Sequence, residues 1–353
     1  MGGPSRPAGC AVSLALAARS PKALRGRPRH GGPVNAHTEL DLEAHRPALL
    51  GHCYRMLGSA ADADDAVQDT MVRAIRGLSG FTGRAALRTW LLRIATNVCL
   101  DELSRRKRRA RPMEAPPGAP GDPITFTPAE DWVEPVPEAW LLPPSADPHA
   151  VLATRQSIRL AFVAALQHLP PRQRAALLLT QVLGLSAAET AEILSSTVSS
   201  VNSALQRARA RLTELDPAAP EPPSTDLAER YAAAFERYDV DALVALMTDD
   251  VTFCMPPIPL WLRGRAHVTT FLRGPGAECE GSVLVPVAAS GAVAFAQYRH
   301  GGRTPWGLVV LERRGDRVSG INTFLDVARL FPLFGLPQVF SSGPMSSGGP
   351  RSP

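Results

Sequence analysis

The chain is 353 residues long with 45% apolar and 6% aromatic residues, the make-up of globular protein, which excludes a fibrous or wholly disordered molecule. Its formal charge is +5, but residues 1–36 hold six Lys and Arg and no acid, so everything after them sums to −1 and affinity for a polyanion must rest on local clusters. Five scattered cysteines with no CxxC pair argue against a disulfide framework or a zinc site, and no apolar run approaches the ~20 residues that span a bilayer.

Residues 1–36 read as a disordered basic extension, with residues 11–18 the nearest thing to a targeting signal. The next unit, 37–111, is helical. Ser59 is an N-cap candidate for a helix whose apolar stripe is Val67, Met71, Ala74, Ile75 and Leu78. Its other face is acidic, with Asp62, Asp65 and Asp69 and beside them Asp64 and Gln68, either a solvated surface or a place for a protein to dock. A second long helix runs from Leu87 into a basic end, with Leu87, Leu91, Ile94 and Val98 buried. Trp90, Arg93, Asn97, Ser104 and Arg108 then share another face, preceded by Phe81. An aromatic surface for unstacked bases, cations for phosphates and an amide for base edges are what single-stranded DNA requires. Residues 105–111, with Arg105, Arg106 and Arg108 among them, form a phosphate-neutralising cluster; the bland alternative is core aromatics beside a solvated helix end.

Residues 112–153 contain eleven prolines, seven acids and no Lys or Arg, which predicts an acidic linker that resists collapse. Helices resume over 154–215. Ser186 and Glu189 form a capping box, and three residues, 195–197, separate that short helix from a longer one, the spacing of a helix-turn-helix. Val198, Val201, Leu205, Ala208 and Leu212 make the expected core stripe of the second helix. Ser199, Asn202, Ser203 and Gln206 are left facing out for base edges, with Arg207, Arg209 and Arg211 for phosphates. After a break at 217–223, residues 225–335 read as helices followed by strands near 283–287, 292–298, 308–313 and 318–324, an α+β cone with a curved antiparallel sheet. Residues 336–353 are a Ser/Gly/Pro tail.

The strings His52-Cys-Tyr-Arg-Met-Leu-Gly-Ser, Asp62-Ala-Asp-Asp-Ala-Val-Gln-Asp-Thr, Leu87-Arg-Thr-Trp-Leu-Leu-Arg-Ile-Ala-Thr-Asn, Leu169-Pro-Pro-Arg-Gln-Arg and Val201-Asn-Ser-Ala-Leu-Gln-Arg-Ala-Arg occur in the order found in extracytoplasmic-function (ECF) sigma factors, which the chain resembles over about 40–215. The last string is similar to that of members with an extra C-terminal domain, and residues 225–335 resemble the SnoaL-like or ketosteroid-isomerase-like fold. The implied fold class is two all-α sigma domains, a region 2 helical bundle and a region 4 helix-turn-helix, followed by an α+β SnoaL-like cone.

The resemblance implies that Asp64, Asp65, Gln68 and Asp69 dock on the β′ clamp helices of core RNA polymerase and that region 4 meets the β flap. It further implies that Phe81, Trp90, Arg93, Asn97, Arg105, Arg106 and Arg108 melt and read the minus-ten promoter element. Ser199, Asn202, Ser203, Gln206, Arg207 and Arg209 would read the minus-thirty-five element as duplex. The protein is expected in the cytoplasm, with no cofactor, no metal and no membrane partner. The cone's titratable candidates, Asp250, His267 and Tyr298, form no dyad spacing, so a regulatory or ligand-sensing module is favoured over an enzyme. The alternative is a helix-turn-helix regulator with a small-molecule-sensing cone.

Overall fold

The computed structural model describes residues 42–338 except 82, 84–85, 143–146 and 216–222. The basic extension, most of the 217–223 break and residues 339–353 of the tail lie outside the described residues. In the first helical block, α1 (Arg46–Leu57), α2 (Ala60–Gly77) and α3 (Leu87–Arg105) pack together around Cys53, Tyr54, Val67, Met71, Leu91, Leu92 and Ala95. Ser59 caps α2 by accepting a hydrogen bond from the Asp62 backbone N–H. His52 is sealed in this core with Nε2 3.0 Å from Thr96 Oγ1. Burial, and secondarily the charge of Arg55, pushes its pKa down to about 3.

The second block holds α4 (Pro148–Ile158), α5 (Leu160–Gln167), α6 (Pro171–Leu177), α7 (Ala187–Ile193) and α8 (Val198–Leu215). The Ser186–Glu189 capping box forms as expected. The C-terminal domain contains α9 (Thr225–Glu236), α10 (Val240–Ala245), β1 (Met247–Cys254), β2 (Trp261–Arg263), α11 (Arg265–Arg273), β3 (Val283–Ala289), β4 (Ala292–Arg299), β5 (Thr304–Arg314), β6 (Arg317–Phe324) and α12 (Val327–Leu333). Its strand order is β2-β1-β6-β5-β4-β3. The expectation of a purely antiparallel sheet needs one correction, because β1 runs parallel to β6, with Phe253 opposite Ile321 and Cys254 opposite Asn322.

The two faces of this sheet are buried by different parts of the molecule. Val293, Phe295, Val309, Leu311 and Ile321 point into the domain's own core with Tyr231, Phe235 and Phe271. Their alternates Ala294, Leu308, Val310 and Phe324 belong to a cluster that continues through both helical blocks. Strand β4 is consequently buried along residues 293–298, which a free one-faced antiparallel sheet would not be.

Residues 112–142 are a packed strap instead of the linker that their composition predicts, and 148–153 already belong to α4. Residues 132–138 are all buried. On one side the Glu134 N–H donates to Gly58 O at 2.9 Å and Tyr54 Oη donates to Glu134 O at 2.7 Å. On the other, Val136 and Ser290 exchange two 3.0 Å hydrogen bonds, and Gly291 N–H donates to Glu138 Oε1 at 2.9 Å. Gly291, at φ +67°, sits so near α4 that a Cβ would lie 2.4 Å from Arg155 O. Each buried strap carboxylate has a cation, Arg329 for Glu134 and Arg155 for Glu138. Prolines keep such a segment out of helices but leave its carbonyls free to accept, and neighbours on both sides supply the apolar contact the strap lacks alone.

Candidate nucleic-acid interface

On the outer side of α2, Asp65, Gln68 and Asp69 are exposed, and the half-buried Asp64 is 3.7 Å from Arg46. Burial, then the nearby Asp62, Asp64 and Asp69, raises the Asp65 pKa above the usual carboxylate range; a cationic partner would relieve this crowding. Two expected or neighbouring apolar positions continue the same surface, since Ile75 is 50% exposed and Val72 46% exposed. Ile75 therefore does not belong to the core stripe. A helix of 18 residues rotates its stripe by about 100° per residue, and Ile75 falls one step past the turn that Ala74 buries.

Phe81 and Trp90 meet with ring centroids 5.0 Å apart, and Trp90 rests over Gly77. Arg93, Asn97 and Arg105 stand exposed along α3. Asp101 shares that surface one turn beyond Asn97 and lies 3.8 Å from Arg73, an acid that the Asn97 to Ser104 spacing stepped over. The basic run departs from expectation. Helix α3 stops at Arg105 and Arg106 turns extended, so Arg108 is not on the Trp90 face. Arg106 pairs with Asp62 and Glu102. Arg108 donates to Glu114 at 2.6 Å. Arg109, 2% exposed, pairs with Asp62 and donates to Trp132 O. Arg111 lies 2.8 Å from Glu312 in the C-terminal domain. Among these arginines burial lowers the pKa of Arg109, while pairing with carboxylates outweighs burial at Arg106 and raises its pKa.

In the second block Ser199, Asn202, Gln206, Arg207 and Arg209 are exposed on α8, Ser203 is half-buried, and Val201, Leu205, Ala208 and Leu212 are buried. Val198, expected in the core, is 45% exposed, because it is the first residue of the helix and precedes the turn that packs. Helix α7 lies against α3, with Arg88 donating to Leu183 O at 3.2 Å. The cone's titratable candidates do not converge. Asp250 is exposed and paired with Arg314 at 3.2 Å, His267 is exposed, and Tyr298 is buried on the opposite face, donating to Pro337 O at 2.8 Å. The domain's own core is instead filled by aromatic rings, Phe253 tilted against Phe271 at 4.9 Å and Tyr231 stacked on Phe295 at 6.0 Å.

Family comparisons agree with this layout. Residues 42–109 match sigma-70 region 2, residues 159–212 match sigma-70 region 4, and residues 228–329 match a SnoaL-like domain. The chain is 43% identical over 320 residues to the ECF RNA polymerase sigma factor SigG of Mycobacterium tuberculosis, covering 87% of this chain and 85% of that one. The chain belongs to the ECF RNA polymerase sigma factors. A further relative of this sigma factor, SigJ of the same organism, is 29% identical over 249 residues, covering 66% of this chain and 72% of that one. The crystal structure of SigJ superposes with a TM-score of 0.57 at 23% identity, covering 85% of this sigma factor and 99% of that chain, which shows the shared fold. The partners of the sigma factor are thus core RNA polymerase and promoter DNA. Among the described residues, no helix is long and apolar enough to cross a membrane.

Proposed function

We propose that this conformation is a closed, self-restrained form of a cytoplasmic sigma factor, which must open to start transcription. The observation that carries the reading is the single apolar cluster running through region 2, the strap, region 4 and the second face of the SnoaL-like sheet. The minus-ten and minus-thirty-five elements lie about 25 base pairs, or roughly 85 Å, apart on duplex DNA. Region 2 and region 4 in contact through α3 and α7 cannot span that separation.

In the open form, Asp64, Asp65, Gln68 and Asp69, extended by Val72 and Ile75, dock on the β′ clamp helices, and region 4 meets the β flap. Phe81, Trp90, Arg93, Asn97 and Arg105 take the melted minus-ten strand, joined by Arg106 and Arg108 once their acids let go. Ser199, Asn202, Ser203, Gln206, Arg207 and Arg209 read the minus-thirty-five major groove. The SnoaL-like domain regulates and does not catalyse, a role supported by its ring-filled interior and its scattered titratable groups. Run-off transcription with core polymerase tests this. Gly291→Val, which drives a side chain into the Arg155 backbone, should raise the transcript at limiting sigma factor; Asn97→Ala should bind core polymerase normally yet fail to open the promoter. An unchanged transcript with Gly291→Val would remove the restraint, and loss of core binding with Asn97→Ala would remove its assigned role.

A further inference from the structure

Arg111 stands apart from the other arginines of its run. Arg106, Arg108 and Arg109 find their acids within region 2 or the strap, whereas Arg111 reaches into the C-terminal domain. One of its Nη atoms lies 2.8 Å from Glu312 Oε1 and donates to Asn322 Oδ1 at 2.9 Å. Asn322 is itself fixed, its Nδ2 donating to Val310 O at 3.2 Å and its Oδ1 accepting from Cys254 Sγ at 3.3 Å. The seat is thus built by β1, β5 and β6 on the face of the sheet that meets the sigma regions. Arg111 and Glu312 are 15% and 21% exposed, so solvent screens their attraction little.

The pairing is one-pointed. Glu312 Oε1 is buried without a well-aligned hydrogen bond although the guanidinium is next to it. A guanidinium makes its strongest contacts in bidentate form, and a phosphodiester offers the two oxygens for that. Six residues of extended chain, about 20 Å at most, separate the end of α3 at Arg105 from Arg111, which keeps Arg111 within a few phosphates of DNA held along α3.

We propose that Glu312 acts as an internal phosphate mimic, so that the SnoaL-like domain and a promoter phosphate compete for the Arg111 guanidinium. The proposal rests on the closed-form reading and deepens it: docking of the C-terminal domain withholds a DNA contact as well as holding the two sigma regions together. No bond is made or broken beyond the ion pair, which exchanges one anionic partner for another.

The test is a double-mutant cycle on holoenzyme formed from core polymerase and the full chain, with Glu312→Gln and Arg111→Gln. Its probe is a promoter fragment selected by the wild-type holoenzyme from a library randomised in both elements. Glu312→Gln should tighten promoter binding about fivefold, the size of effect expected when a charged hydrogen bond is released for another partner. In the Arg111→Gln background the same change should do nothing. Arg111→Gln on the Glu312→Gln chain should also reduce the slope of log affinity against log salt by about 0.9, one phosphate contact. Equal tightening with and without Arg111, or no tightening by Glu312→Gln, overturns the proposal. Failure of the wild-type holoenzyme to select any promoter would overturn the promoter-reading assignment instead, and so separates the two.

Discussion

Two basic clusters, residues 105–111 and residues 207–211, look alike in the sequence and end in opposite situations. Arg207 and Arg209 project from α8 into solvent, and among the described residues Arg211 pairs with the exposed Glu214 at 2.8 Å on the same helix. Arg106, Arg108, Arg109 and Arg111 are each held by a carboxylate from another element. The acids that hold them come partly from the strap and the C-terminal domain. Local charge density measures what a segment could neutralise; the fold decides what is free to do so.

The contrast is most exposed at Arg109. Arg109→Met should destabilise the full chain by about 2–3 kcal/mol, because it removes a charged hydrogen bond from Asp62, which keeps Arg106, and leaves Trp132 O unpaired. Urea unfolding reads this directly, and a loss under 1 kcal/mol would mean that the first cluster is no more structural than the second.

Sealing also acts on a histidine of region 2. His52 is neutral when folded, with its pKa at about 3, below the ~6.5 of an unfolded chain. The stability this contributes is complete above pH 6.5 and is lost as pH falls toward 3, at up to about 1.4 kcal/mol per unit. Between pH 6.5 and pH 5 the wild type should therefore lose about 1.6 kcal/mol more than His52→Gln, measured by urea midpoints at the two values. Equal losses would place the acid sensitivity elsewhere.

The smallest effect on stability is expected at the open cluster. Arg209→Ala should change stability by less than about 0.5 kcal/mol, yet lower the salt slope of promoter binding by about 0.9. A destabilised Arg209→Ala protein would erase the distinction between the clusters.

What could be read from the sequence was local. The Ser59 cap, the Ser186–Glu189 box, the helix-turn-helix and the four later strands are set by residues within a few positions of one another. What escaped was non-local. The strap is ordered by Tyr54, Gly58, Ser290, Gly291 and Arg329, partners up to about two hundred residues away that no window of composition contains. The site was legible as faces, with Asp65, Gln68, Asp69, Asn97 and Asn202 exposed where helical spacing put them. It was not legible as availability, since the end of α3 at Arg105 depends on Arg106 turning aside to Asp62. Ile75 and Val198 were misjudged for a related reason: periodicity gives a face, and the neighbour that covers it is set by the fold.

In the proposed closed form, regions 2 and 4 are held together by the strap and the SnoaL-like domain until transcription begins. Labels at the exposed Ser79 and Ala210 would report their separation by energy transfer, first in the free chain and then in the open complex with core polymerase and promoter. A closed form gives a short distance in the free chain that lengthens toward the roughly 85 Å between promoter elements, and a free-chain distance already lengthened by Gly291→Val. A separation that is the same in the free chain and the open complex would contradict it.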